Sequence, residues 1–182
     1  MNKKVLLTGT CILVLAVLAG VLALHPNRYG LAPEVTFKII DGRQINMKDL
    51  RGRPVLVTFW ATTCSTCLGE MPHLISLYNE LSGKGFEIIG VAMAYDPPNR
   101  VLELARVRSV PYAIALDIDS SVAHAFDGVT LTPTSVLIAP DGRIITHNVG
   151  ALNMQELRAQ IMDMLKQSQV PSLMLQEADN RT

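Results

Sequence analysis

The chain is poor in charge. Charged residues make up 18% of its 182 positions, where about 25% is usual for a soluble domain. Neither sign dominates, because the formal net charge is +0, so nothing favours nucleic acid or an anionic surface as a partner. Aromatics are scarce at 5%, yet the aliphatic content excludes general disorder. Three cysteines are too few to staple a miniature disulfide fold. Internal repeats and low-complexity segments are absent.

The apolar excess is concentrated at the N-terminus. Lys3 and Lys4 precede Val5–Leu24, twenty residues without a charge. As a helix such a run is about 30 Å long and crosses a hydrocarbon core. The leading lysines predict a cytoplasmic N-terminus with the remainder on the far side. Residues 1–24 therefore read as a single-pass anchor. A cleaved signal peptide is the competing reading, although its apolar region is normally shorter. Cys11 lies inside the run and reads as a small apolar helix residue.

Residues 25–33, with two prolines and a glycine, form a tether. From His25 onward there are 14 basic and 16 acidic residues, a net of −2. Residues 34–167 carry the pattern of one globular domain. Strand-like Val35–Ile40 is followed by Asp41-Gly42, a hairpin signal, and a return strand at Arg43–Ile45. Pro54–Trp60 is almost continuously apolar, as suits a strand buried on both faces. Ser65–Leu81 predicts a helix, with Leu68, Met71, Leu74, Ile75 and Tyr78 at helical spacing. A second buried strand at Phe86–Ala92, a helix at Pro97–Val107 and a short strand at Tyr112–Leu116 follow. Asp119-Ser120-Ser121 is expected to cap a short helix through Phe126. Thr134–Ala139, Asp141-Gly142 and Arg143–Val149 read as a second hairpin, and Asn153–Gln167 as the last helix. Residues 168–182 are polar with a break at Pro171, so a disordered tail is expected. The order βαβα, β-hairpin, α predicts an α/β sandwich on a mixed sheet.

One octet carries chemistry: Trp60-Ala61-Thr62-Thr63-Cys64-Ser65-Thr66-Cys67. It joins a buried strand to a helix. Cysteines at i and i+3 there can close a small disulfide ring. The first stands at the helix N-terminus, where free N–H groups and the helix dipole favour a thiolate, the attacking species in disulfide exchange. The second lies one turn in, within reach of a mixed disulfide. Zinc is a poor alternative, since no cysteine follows Cys67 and His73, His124 and His147 are scattered. A purely structural bridge would close too short a loop to stabilise much.

The octet, the strand before it and Leu131-Thr132-Pro133-Thr134 resemble the thioredoxin superfamily. The likeness is greatest to the membrane-anchored TlpA/ResA-like thiol–disulfide oxidoreductases, including those of cytochrome c maturation. It covers residues 34–167 and implies a thioredoxin-like three-layer sandwich with a central mixed sheet, an N-terminal β-hairpin and one preceding transmembrane helix. The resemblance makes Cys64 the nucleophile, Cys67 the resolving cysteine, Pro133 a cis-proline beside the disulfide and Trp60 the flanking aromatic. Thr132, just before that proline, is expected to pair its backbone with a substrate segment.

Glu70 matches a frequent family acid, though a solvated first-turn charge is its plainer reading. Pro72 is expected to kink the helix. Thr58 stands where many thioredoxins bury an aspartate, and a threonine hydroxyl cannot take a thiol proton at neutral pH. Asp96 is the candidate substitute, against a bland role in the loop before Pro97. Thr63 replaces a frequent aromatic. The implied function is reduction of extracytoplasmic protein disulfides by a monomeric enzyme fed by a membrane electron donor. It would sit on the periplasmic face of a bacterial inner membrane, with no cofactor, no metal and no nucleic acid. A Cu(I)-binding metallochaperone is the alternative, with Met71 and His73 near the thiols. A thiol peroxidase fits less well, because Ala61 stands three residues before Cys64.

Overall fold

In the computed structural model the backbone is described for residues 30–179 and side chains for residues 30–168. The expected anchor at Val5–Leu24 lies outside the described residues. Among the described residues, no helix is long and apolar enough to cross a membrane.

The first named strands of the described residues form a two-stranded antiparallel hairpin, β1 (Thr36–Lys38) and β2 (Gln44–Asn46). Its turn requires Gly42 at φ +88°, a left-handed conformation open to glycine at little cost. The main sheet follows. Strand β3 (Val55–Trp60) pairs in parallel with β4 (Glu87–Ala92), and β4 in parallel with β5 (Ala113–Leu116). Strands β6 (Thr134–Ile138) and β7 (Ile144–Val149) add antiparallel on the other side, giving the order β5-β4-β3-β6-β7. The sheet is therefore mixed, as the element order predicted.

Among the described residues, three α-helices join strands, α1 (Ser65–Leu81), α2 (Pro98–Val107) and α3 (Ser121–Ala125), and α4 (Met154–Asp179) follows β7. Every residue of β3 is buried, because β3 is central and covered on both faces. Even-numbered Leu56 and Trp60 join a core cluster with Met71, Leu74 and Leu77 of α1, Val101 of α2 and Leu157 and Ile161 of α4. Odd-numbered Phe59 turns to the opposite face and meets Phe126 edge-on, with ring centroids 5.6 Å apart. This alternation fixes which side chains of β3 stand under α1, and those are the ones that reach the cysteines.

Two details differ from expectation. The cap of α3 is Asp117, not the 119–121 run: its buried carboxyl accepts the Val122 and Ala123 N–H groups at 2.9 and 2.8 Å. Asp119 accepts from the N–H and hydroxyl of Ser121, the first residue of α3. Helix α4 continues past Ser168 and through Pro171 to Asp179. A proline removes one donor, but the flanking leucine, methionine, glutamine, glutamate and alanine all favour the helical state.

Candidate active site

The cysteines sit where β3 hands the chain to α1. After Trp60 a tight turn is closed by the Cys64 N–H donating to the Ala61 carbonyl at 3.1 Å. Cys64 then occupies the N-cap position in extended geometry, and its Sγ accepts the Cys67 N–H at 3.2 Å. That N–H belongs to the first turn of α1 and has no helical partner. The sulfur thus takes the place of a capping oxygen and faces the positive end of the helix dipole. Cys64 and Cys67 form a disulfide with their Cα atoms 5.3 Å apart. Cys64 is partly exposed, whereas Cys67 is only 5% exposed. An incoming sulfur therefore reaches Cys64 first.

Behind Cys67 lies a cavity of about 10 Å³ lined by Thr58, Trp60, Cys67, Glu70, Tyr112 and Pro133, among others. It gathers residues from β3, α1, the loop before β6 and the segment just before β5. Glu70 is buried, contrary to the solvated reading, and one of its oxygens accepts the Leu152 N–H. The helix periodicity that buries Met71 and Leu74 carries Glu70 inward with Cys67, three residues before it. The Thr58 hydroxyl accepts from Ser135 at 2.9 Å across the β3–β6 pair, which leaves its own hydrogen free to donate. The Trp60 indole N–H is buried and has no hydrogen-bond partner. Burial pushes the Tyr112 phenol well above its ordinary pKa, so this group remains a neutral hydroxyl.

The Thr132–Pro133 bond is cis. Pro133 lines the cavity beside Cys67, and its carbonyl accepts the Gly150 N–H at 2.8 Å. Thr132, the residue before Pro133, is partly exposed. Its hydroxyl lies 3.4 Å from that of Tyr95, an exposed aromatic in the turn after β4. Leu131 is exposed beside it. Asp96 is buried but does not line the cavity behind Cys67. Its two carboxyl oxygens accept instead from Thr62, in the turn before Cys64.

Ser135, Tyr112 and Thr62 escape a reading of the sequence. Ser135 lies in an apolar strand and is recruited by its register opposite Thr58, and Tyr112 lies just before β5 and is recruited by packing. Thr62 is one of two adjacent threonines, and nothing in their order separates them. Among the described residues, no group of three or more His, Cys, Asp or Glu side chains could hold a metal ion.

A mixed sheet flanked by helices, with a Cys-x-x-Cys disulfide at a strand–helix junction and a cis-proline beside it, defines a thioredoxin-fold dithiol protein. Comparison with known proteins agrees. The Redoxin family model matches residues 30–161. A thiol–disulfide oxidoreductase ResA of Bacillus thuringiensis is 31% identical over 126 residues, 69% of this chain and 72% of that protein. Its counterpart in Halalkalibacterium halodurans is 32% identical over 127 residues, 70% of each. A thioredoxin-family thiol:disulfide interchange protein of Chlorobium tepidum has the same fold. It superposes with a TM-score of 0.69 at 23% identity, over 77% of this chain and 99% of that one. The chain belongs to the redoxin family, with ResA-like thiol–disulfide oxidoreductases among its homologues. It is a thiol–disulfide oxidoreductase.

Proposed function

We propose that the protein works as a reductant of disulfides in extracytoplasmic proteins, held at the membrane by Val5–Leu24. The observation that carries the assignment of roles is the difference in access between the two sulfurs: Cys64 is partly open and Cys67 is enclosed.

In the reduced enzyme the Cys64 thiolate attacks one sulfur of a target disulfide. A Cys64–target S–S bond forms, and the other target sulfur leaves as a thiolate that takes up a proton. Cys67 then loses its proton and attacks the Cys64 sulfur. The Cys64–Cys67 disulfide forms, and the second target sulfur is released as a thiolate. Two electrons pass from the dithiol to the target, and a membrane thiol donor restores the dithiol. The Cys67 proton needs an acceptor, because attack requires the thiolate. Glu70 is the carboxyl that shares a cavity with Cys67, so it takes the part that Thr58 cannot. The Thr132 backbone, next to the cavity-lining Pro133, would pair with an extended target segment, and Trp60 lines the cavity behind Cys67.

The direction is tested by equilibrating the protein with glutathione buffers and measuring its reduction potential. A value near the roughly −270 mV of thioredoxin supports a reductant, and one near the roughly −120 mV of strong oxidants contradicts it. The tether is tested by fractionation: the full chain is expected in the membrane fraction. A soluble extracytoplasmic chain starting near Leu24 would show that the segment is cleaved.

A further inference from the structure

Asp96 stands in the turn after β4 and is only 4% exposed. Burying a carboxyl is costly unless its oxygens find donors. Here both donors come from one residue. The Thr62 N–H donates to Oδ2 at 2.5 Å and the Thr62 hydroxyl to Oδ1 at 2.6 Å. The grip is long-range in sequence, 34 residues apart, and lands two residues before Cys64.

The turn that carries Asp96 is itself anchored to the same strand end. The Asp96 N–H donates to the Met93 carbonyl at 2.9 Å, and the Met93 N–H to the Trp60 carbonyl at 3.1 Å. The 61–64 turn is closed by one backbone bond, Cys64 N–H to Ala61 carbonyl, and Thr62 lies within it. Holding Thr62 at two points therefore decides how the chain enters α1 and where the Cys64 sulfur meets the Cys67 N–H. In the oxidised protein the disulfide also fixes the two sulfurs. Once it is opened, that covalent restraint is gone and the turn alone places the thiolate.

We infer that Asp96 is a positioning residue for disulfide exchange, acting through Thr62 to hold Cys64 at the start of α1 in the reduced enzyme. This rests on the reading of Cys64 as the attacking sulfur. It gives Asp96 a role on the Cys64 side of the site, distinct from proton transfer at Cys67.

The test uses the full reduced chain. The pH dependence of Cys64 alkylation by iodoacetamide is followed by peptide mass, beside the rate of insulin disulfide reduction. For Asp96→Ala the alkylation midpoint is expected to rise by about one pH unit. That is roughly a tenfold fall in reactivity below the midpoint. In Asp96→Asn the amide oxygen can still accept the Thr62 N–H while its NH₂ donates to the Thr62 oxygen. This variant is expected to return to within about twofold of wild type. Thr62→Val loses one of the two contacts and should fall between. A wild-type midpoint in Asp96→Ala overturns the inference. So does an Asp96→Asn midpoint displaced as far as that of Asp96→Ala, because restoring the contacts to Thr62 would then not restore the thiolate. Should Asp96→Ala fail to fold by circular dichroism, Thr62→Val decides, and an unshifted midpoint there overturns the inference. Failure of the underlying reading looks different: the wild-type chain itself would not reduce insulin, or Cys64 would not be its reactive thiol.

Discussion

Gly90→Ala tests the packing behind the dithiol, because two opposing effects can be weighed there. Gly90 lies in β4 between Thr58 of β3 and Ile114 of β5, and its φ is not in the left-handed region. Alanine is therefore allowed by the backbone. On entropy alone the substitution should stabilise by about 0.4–1 kcal/mol, by restricting the unfolded chain. The added Cβ, however, would stand 2.8 Å from Ile114 Cδ1 and 3.3 Å from both Trp60 Nε1 and Tyr112 Cε2. Those rings line the cavity behind Cys67 and are buried on all sides, so neither yields freely. Overpacking of this kind costs about 1–3 kcal/mol. The net expectation is a loss of about 0.5–2 kcal/mol, which lowers Tm by roughly 2–6 °C for a domain of this size. Trp60 is the single tryptophan, so urea unfolding followed by its fluorescence reads both the stability and the local environment. The midpoint should fall with the slope unchanged, and the native emission should shift. An equal or higher midpoint would refute the reasoning, by showing that Trp60 and Tyr112 move aside at no cost.

Further outcomes follow from the same contacts. Asp117→Ala removes the acceptor for two N–H groups of α3 and should cost about 1–3 kcal/mol in urea melts; a loss under about 0.5 kcal/mol would contradict the capping role. Glu70→Gln should slow insulin reduction while leaving Cys64 alkylation near its wild-type rate, and an unchanged turnover would remove Glu70 from proton transfer at Cys67. On the acid side, four exposed carboxyls among the described residues are held below the usual carboxylate range, Glu80 among them through its side-chain bond to Arg158. Asp41 is held chiefly by its side-chain bond to Arg43, Asp119 by Ser121, and Asp141 by the Arg143 backbone N–H. Depressed folded values mean that the stability they lend is complete above the unfolded value of about 4 and is lost as pH falls below it. Tm should therefore drop from pH 5 to pH 3, and less steeply in Asp41→Asn; identical profiles would exclude a contribution from that pair.

Much of this molecule was legible from the order of its residues. Continuous apolar runs marked β3 and β4 because both strands are buried on two faces. The helix after Cys64 was bounded correctly because its apolar spacing and its start at the octet agree. What stayed hidden depends on register and reach. Glu70 looked like a solvated charge in a first turn, yet it shares a cavity with Cys67 and answers the Leu152 N–H from a distant loop. Asp96 was singled out as an acid near the dithiol, but only the packing of the β4 turn against the β3 end shows that its partner is Thr62. Asp117 escaped notice as a cap because it lies several residues before the helix it serves, behind a serine pair that looked better suited.

The identity of the attacking sulfur is the central claim, and trapping tests it most directly. The reduced full chain as Cys67→Ser, and separately as Cys64→Ser, is mixed with a peptide disulfide, and the mixed disulfides are located by peptide mass. Cys67→Ser is expected to accumulate a long-lived adduct at Cys64, with little adduct at Cys67 in the other variant. An adduct that forms at Cys67 as fast as at Cys64, or forms at neither, would contradict the account.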